Sequence, residues 1–144
     1  MAYQDGPYIQ IACFCDQVIE DKSGALSLIR VIDTITHSVG GPNIPEEMQP
    51  FNHSLTLVLA LKSGAAHGRN TITIKPELPT GEAKESLKFT VHFEGEERGT
   101  NIIVRINFLF EYEGLYWFEV WLSDKKLTAI PIRVRYNRVM TTPS

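Results

Sequence analysis

The sequence predicts an all-β fold, an antiparallel β-sandwich of about eight strands of the immunoglobulin-like or C2-like kind. Three observations predict it. Apolar and polar residues alternate with period two along most of the chain, the runs are separated by turn-forming clusters, and no segment shows helical periodicity.

The elements follow in order. "YIQIACFCD" places Ile9, Ile11, Cys13 and Cys15 on one face and Tyr8, Ala12 and Phe14 on the other. "EDKSGA" (20–25) suits a tight reversal. "LSLIRVIDTIT" is apolar on both faces, which predicts a central strand or one covered on both sides. "HSVGGPNIPEEMQPFNH" (37–53), with three prolines and two glycines, reads as a long crossover loop. It is either functional or a connection between sheets held to the core by Ile44, Met48 and Phe51. "SLTLVLALK", "NTITIK", "SLKFTVHFE" and "NIIVRINFLFEY" are half-buried strands with one apolar face each. "SGAAHG", "PELPTGEAK" and "EGEERG" are the turns and loops between them.

The last ribbon, "GLYWFEVWLSDKKLTAIPIRV" (114–134), crowds four aromatics into six positions. Tyr116, Phe118, Val120 and Leu122 share one side, and Leu115, Trp117, Glu119 and Trp121 the other. On the returning strand Thr128, Ile130, Ile132 and Val134 oppose Ala129, Pro131, Arg133 and Arg135. The purely apolar sets must face the core, since the other parity drives charge inward. The expected register pairs Phe118 with Ile132 and Val120 with Ile130 across an odd-numbered turn. It sets Trp117 opposite Arg133, where indole and guanidinium attract, Glu119 opposite Pro131, and Trp121 opposite Ala129. Pro131 has no N–H to give, so the last strand is expected to be an edge or to carry a bulge there. With Arg133 and Arg135 it is a protected edge, and also a place where a partner could add a strand. Trp117, Trp121, Glu119, Arg133 and Arg135 are therefore the candidate partner-binding residues.

The ribbon resembles the C-terminal hairpin of a family of short, uncharacterised bacterial β-sandwich proteins, a domain of unknown function. That hairpin carries a G-x-Y-x-F-E-V strand, a polar turn, and L-x-x-I-P-(I/L)-x-V. Gly114, Tyr116, Phe118, Glu119, Val120, Leu127, Ile130, Pro131, Ile132 and Val134 fit it, and "SGALSLIRVIDTI" (23–35) is similar to its second strand. The resemblance implies a β-sandwich and a bacterial or phage-like source, and no activity. G-x-Y-x-F also resembles the tyrosine corner of immunoglobulin-like sandwiches, where a Tyr hydroxyl locks a strand end.

Length and composition fit one domain, 1–136, with a tail at 137–144. Net charge of −3 and no basic stripe speak against nucleic acid. No apolar run is long enough to span a membrane, and "MAYQDGPYIQ" has no secretory pattern. The expectation is a cytoplasmic protein with reduced thiols at Cys13 and Cys15.

No catalytic, phosphate-cradling or metal-ligand motif stands out, so neither an enzyme, a cofactor nor a metal is expected. His37 and His53 bracket the long loop and could approach each other. Asp16, Glu20, Asp21 and Asp33 cluster about the first hairpin, as calcium-binding C2 loops do, but without their spacing. The reading is a non-enzymatic protein-interaction or accessory module, self-associating or with a protein partner. The alternatives are a carbohydrate-binding domain stacking sugars on the Trp pair, and a calcium- or lipid-responsive C2-like module.

Overall fold

The computed structural model describes residues 5–139. Residues 1–4 and 140–144 lie outside the described residues, and with them the start of the segment read for a secretory pattern and most of the expected tail. Among the described residues nine strands form, one more than the alternation suggested: β1 (Tyr8–Glu20), β2 (Leu26–Ile32), β3 (Thr34–Gly40), β4 (Phe51–Gly64), β5 (Gly68–Glu77), β6 (Leu87–Phe93), β7 (Glu96–Phe110), β8 (Gly114–Leu122) and β9 (Lys125–Val139). They build a two-sheet sandwich of order β2-β1-β4-β7 and β3-β9-β8-β5-β6. Every ladder is antiparallel except β3 with β9.

The additional strand comes from "LSLIRVIDTIT". The chain bends at Asp33, so β2 joins one sheet and β3 the other, each as an edge. The apolar character on both faces thus reflects a change of sheet midway, and corrects the expectation of a central strand. Val31 is 63% exposed, whereas Ile35 is buried in the core. The bend is held by Arg133 N–H, which donates to the Asp33 carbonyl at 2.9 Å.

The core gathers the even-numbered apolar sets of β7, β8 and β9 and the odd-numbered leucines of β4. Aromatic rings bridge the sheets: Phe14 of β1 meets Phe118 edge-on at 4.9 Å, and Phe108 meets Phe118 at 5.2 Å. Such edge-to-face pairs suit the ring quadrupoles. The segment 41–50 connects the sheets, with Met48 buried, Phe51 packed on the core and Ile44 half-buried. It is tied down by Tyr136, whose hydroxyl donates to the Pro45 carbonyl at 2.8 Å. His37 and His53 both neighbour Phe51: His37 stacks on it at 3.9 Å and His53 meets it edge-on at 6.4 Å.

Past Asp16 the β1–β2 hairpin turns back over the outer side of the four-stranded sheet. Its residues 23–26 share a cavity with Ile11, Ala60, Lys62 and Asn101, and the Asp16 carbonyl accepts from Arg105 of β7. Val58, Ala60 and Cys15, which point away from the main core, are buried there. The acidic residues of this hairpin are already engaged. Asp21 caps its own turn by accepting from Ser23 and Ala25, and Asp16 pairs with Arg30 at 2.8 Å. Among the described residues no three His, Cys, Asp or Glu side chains converge as metal ligands do.

Candidate functional site

The terminal ribbon has the expected parity and a different register. Tyr116 opposes Ile132, Phe118 opposes Ile130 and Val120 opposes Thr128. Tyr116, Phe118, Val120, Ile130, Ile132 and Val134 are all buried, so even positions do point inward. The pairing is two residues away from the expected one because the turn is Ser123–Asp124 alone, with Ser123 in the left-handed region at φ 50°. A bulge at Leu127 supplies the third residue that parity demands, since Val120 pairs with Thr128 but Trp121 with Lys126. Trp117 consequently faces Pro131, not Arg133, and Glu119 faces Ala129.

The last strand is an edge only at its start. β3 covers β9 from Arg133 to Val139, so Arg133 and Arg135 lie opposite Thr34 and Thr36 and are closed to strand addition by a partner. Pro131 is tolerated because it lies before that ladder. Arg133 N–H points to β3, so the nitrogen two residues earlier points the same way, where no strand lies. β9 also continues to Val139, three residues beyond the boundary expected at 136.

At the opposite end of β8, Gly114 has φ +127°, and a Cβ there would lie 2.8 Å from the Pro79 side chain. Two residues on, the Tyr116 hydroxyl accepts from the backbone N–H of Glu111 (3.1 Å) and Tyr112 (2.9 Å) and donates to the Tyr112 carbonyl (2.8 Å). Burial holds this phenol above its ordinary pKa. The corner locks the β7–β8 connection to the start of β8.

On the outer face of the five-stranded sheet, β5 lies against β8 with Thr73 opposite Trp121, Lys75 opposite Glu119 and Glu77 opposite Trp117. Lys75 Nζ sits 3.9 Å from the Trp121 ring centroid, so the cation–π contact forms with this pair and not between Trp117 and Arg133. Trp121 Nε1–H donates to Glu119 Oε1 at 3.0 Å, and Lys126 Nζ lies 2.8 Å from Glu119 Oε2. Lys126 first and Trp121 second hold the Glu119 carboxyl below its ordinary pKa. Beside this network is a hollow of about 300 Å³ lined by Glu77, Trp117, Glu119, Lys126 and Ala129. Its opening follows from sequence, because Ala129 supplies only a methyl group between the larger side chains of the neighbouring rows.

Of the sequence candidates, Trp117 and Glu119 line the hollow and Trp121 braces it, while Arg133 and Arg135 do not line it. Lys75, Glu77, Lys126 and Ala129 were not anticipated. Pro76 made 76–84 read as a loop, yet β5 runs through Pro76 to Glu77. The signal was available in "TITIKPE", whose alternation carries Lys75 and Glu77 onto the polar face.

The profile of DUF6941, a family of unknown function, matches residues 10–135 of the chain. The chain belongs to DUF6941. No curated protein sequence matches this DUF6941 chain. Among solved structures it is similar to the Pseudomonas fluorescens alkylpurine DNA glycosylase AlkC bound to DNA containing an abasic site analog, at 13% identity and a TM-score of 0.43. That likeness covers 72% of the DUF6941 chain and 27% of the glycosylase, so the chain spans about a quarter of that protein. It is also similar to an immunoglobulin-like protein from Pseudomonas aeruginosa, at 13% identity and a TM-score of 0.37, over 91% of one chain and 94% of the other. At these values neither likeness bears on the function of the DUF6941 domain. Among its described residues no helix is long and apolar enough to cross a membrane.

Proposed function

We propose that the chain is a non-enzymatic protein-interaction module that meets its partner, another protein or a second copy, through the outer face of the five-stranded sheet around Trp117. The observation that carries this reading is the contrast between the two indoles. Trp121 is fastened by Glu119 and covered by Lys75, while Trp117 leaves 37% of its surface open beside a hollow. A large rigid ring next to a braced depression is the form interface hot spots take. The arrangement favours one protruding partner side chain over the two-ring platform of a sugar-binding site, because the Lys75 ammonium lies over one of the two rings.

The test is photo-crosslinking in the source cells, with a photoreactive phenylalanine at position 117 and, as control, at the exposed Lys88 on the same sheet. A discrete adduct from position 117 alone, identified by mass spectrometry as another protein or a second copy of the chain, is expected. Adducts of equal pattern at both positions, or none at 117, overturn the reading.

A further inference from the structure

We infer that the hollow beside Trp117 is a receptor for a cationic side chain, an arginine guanidinium or a lysine ammonium, presented by the partner; this rests on the interaction reading above. Three observations about unequal engagement carry it. First, the charged groups of the network beside the hollow are spoken for. Both Glu119 oxygens are used, one by Lys126 and one by the Trp121 indole, and Lys75 lies over Trp121. Second, Glu77 is not. It lines the hollow, sits directly across the ladder from Trp117, and takes part in no side-chain hydrogen bond or ion pair with any described residue. Third, the open ring is an indole, the aromatic face that attracts cations most strongly.

Charge then selects the occupant. The lining holds two carboxylates against one ammonium, and that ammonium is already committed to Glu119. An anionic group entering here meets both carboxylates, and an aliphatic one strips water from Glu77 with nothing in exchange. A guanidinium or ammonium is attracted twice, by the carboxylate of Glu77 and by the face of Trp117. The hollow of about 300 Å³ is large enough for one such side chain.

The full chain, labelled with ¹⁵N, provides the test, because its two indole N–H resonances report separately on the open ring and the braced one. The probes are the blocked peptide acetyl-Gly-Arg-Gly-amide, its lysine counterpart, and its citrulline counterpart, which keeps the shape of arginine without the charge. The arginine and lysine peptides are expected to shift the Trp117 resonance saturably in low salt, and the citrulline peptide to leave it in place. Glu77→Gln, an isosteric change on the surface, is expected to weaken the arginine response by at least about fivefold while the rest of the spectrum stays dispersed. An equal response to citrulline, an unchanged response in Glu77→Gln, or no shift at Trp117 up to tens of millimolar overturns the inference. The two readings fail separately. A crosslink at 117 without an arginine response removes the cation receptor and keeps the interface, and an arginine response without a crosslink removes the interface and leaves a cation-binding hollow with no partner to fill it.

Discussion

The hydroxyl of Tyr116 lies 2.8 Å from the carbonyl oxygen of Tyr112 while accepting two backbone N–H groups from residues 111 and 112. One side chain therefore satisfies three backbone groups at the β7–β8 connection. Tyr116→Phe keeps the ring and removes all three bonds, leaving two amides and a carbonyl without their partner. It is expected to cost about 1–3 kcal/mol in urea unfolding, with the m-value unchanged. Because burial raises the phenol pKa, the folded state holds this proton more tightly than the unfolded chain. The stability it contributes is full below the unfolded value near 10 and is lost as pH rises through the higher folded value, and Tyr116→Phe is expected to flatten that alkaline decline.

The change of sheet at Asp33 separates two residues that look alike in sequence. Ile35→Ala empties a core position and is expected to cost about 2–5 kcal/mol. Val31→Thr alters a side chain mostly in water and is expected to stay within about 0.5 kcal/mol. Equal losses at the two positions contradict the switch.

Glu119 is the acceptor that braces the Trp121 indole. Lys126 and the indole N–H hold its carboxyl below the ordinary glutamate value, so the folded state favours the charged form. The stability from this group is present above the unfolded glutamate value and lost as pH falls through the lower folded one. The Trp121 indole resonance is expected to move across that acidic window and to lose this titration in Glu119→Gln.

Burial pushes both thiols above their ordinary pKa, with the Cys13 thiol raised further by its neighbour Cys15. Thiolate is the reactive form, so native protein at neutral pH is expected to react slowly with Ellman's reagent and unfolded protein to react fully. Rapid labelling of Cys15 in the folded state contradicts its burial beneath the first hairpin.

Gly114 opens β8 at a positive φ against Pro79. Gly114→Ala forces both a disfavoured backbone and a steric shift, and is expected to cost about 1–3 kcal/mol. Thermal unfolding measures it, and a neutral result contradicts the geometry of this corner.

What the sequence disclosed was parity. Alternation and the cost of buried charge suffice to turn Phe118 and Ile132 inward and Trp117 outward, because neither depends on which residue sits opposite. Register does depend on that, and here it hangs on one bulge at Leu127, which leaves no mark in the pattern. The break at Asp33 was hidden for a related reason. An apolar run that serves two sheets in turn has the same composition as one buried on both sides. The hollow was half legible: Trp117 and Glu119 stood out by type, whereas Glu77 followed a proline that argued for a loop.

The parallel ladder between β3 and β9 joins residues 34–40 to residues 133–139, the first part of the second sheet to its last. During synthesis β3 emerges long before β9, the strand it pairs with. The four-stranded sheet can assemble once β7 is made, but the seam that closes the five-stranded sheet forms only after β8 and β9 have followed. Chains stalled before residue 133 carry Ile35 and Thr36 on an unpaired edge, a recognisable substrate for chaperones and proteases.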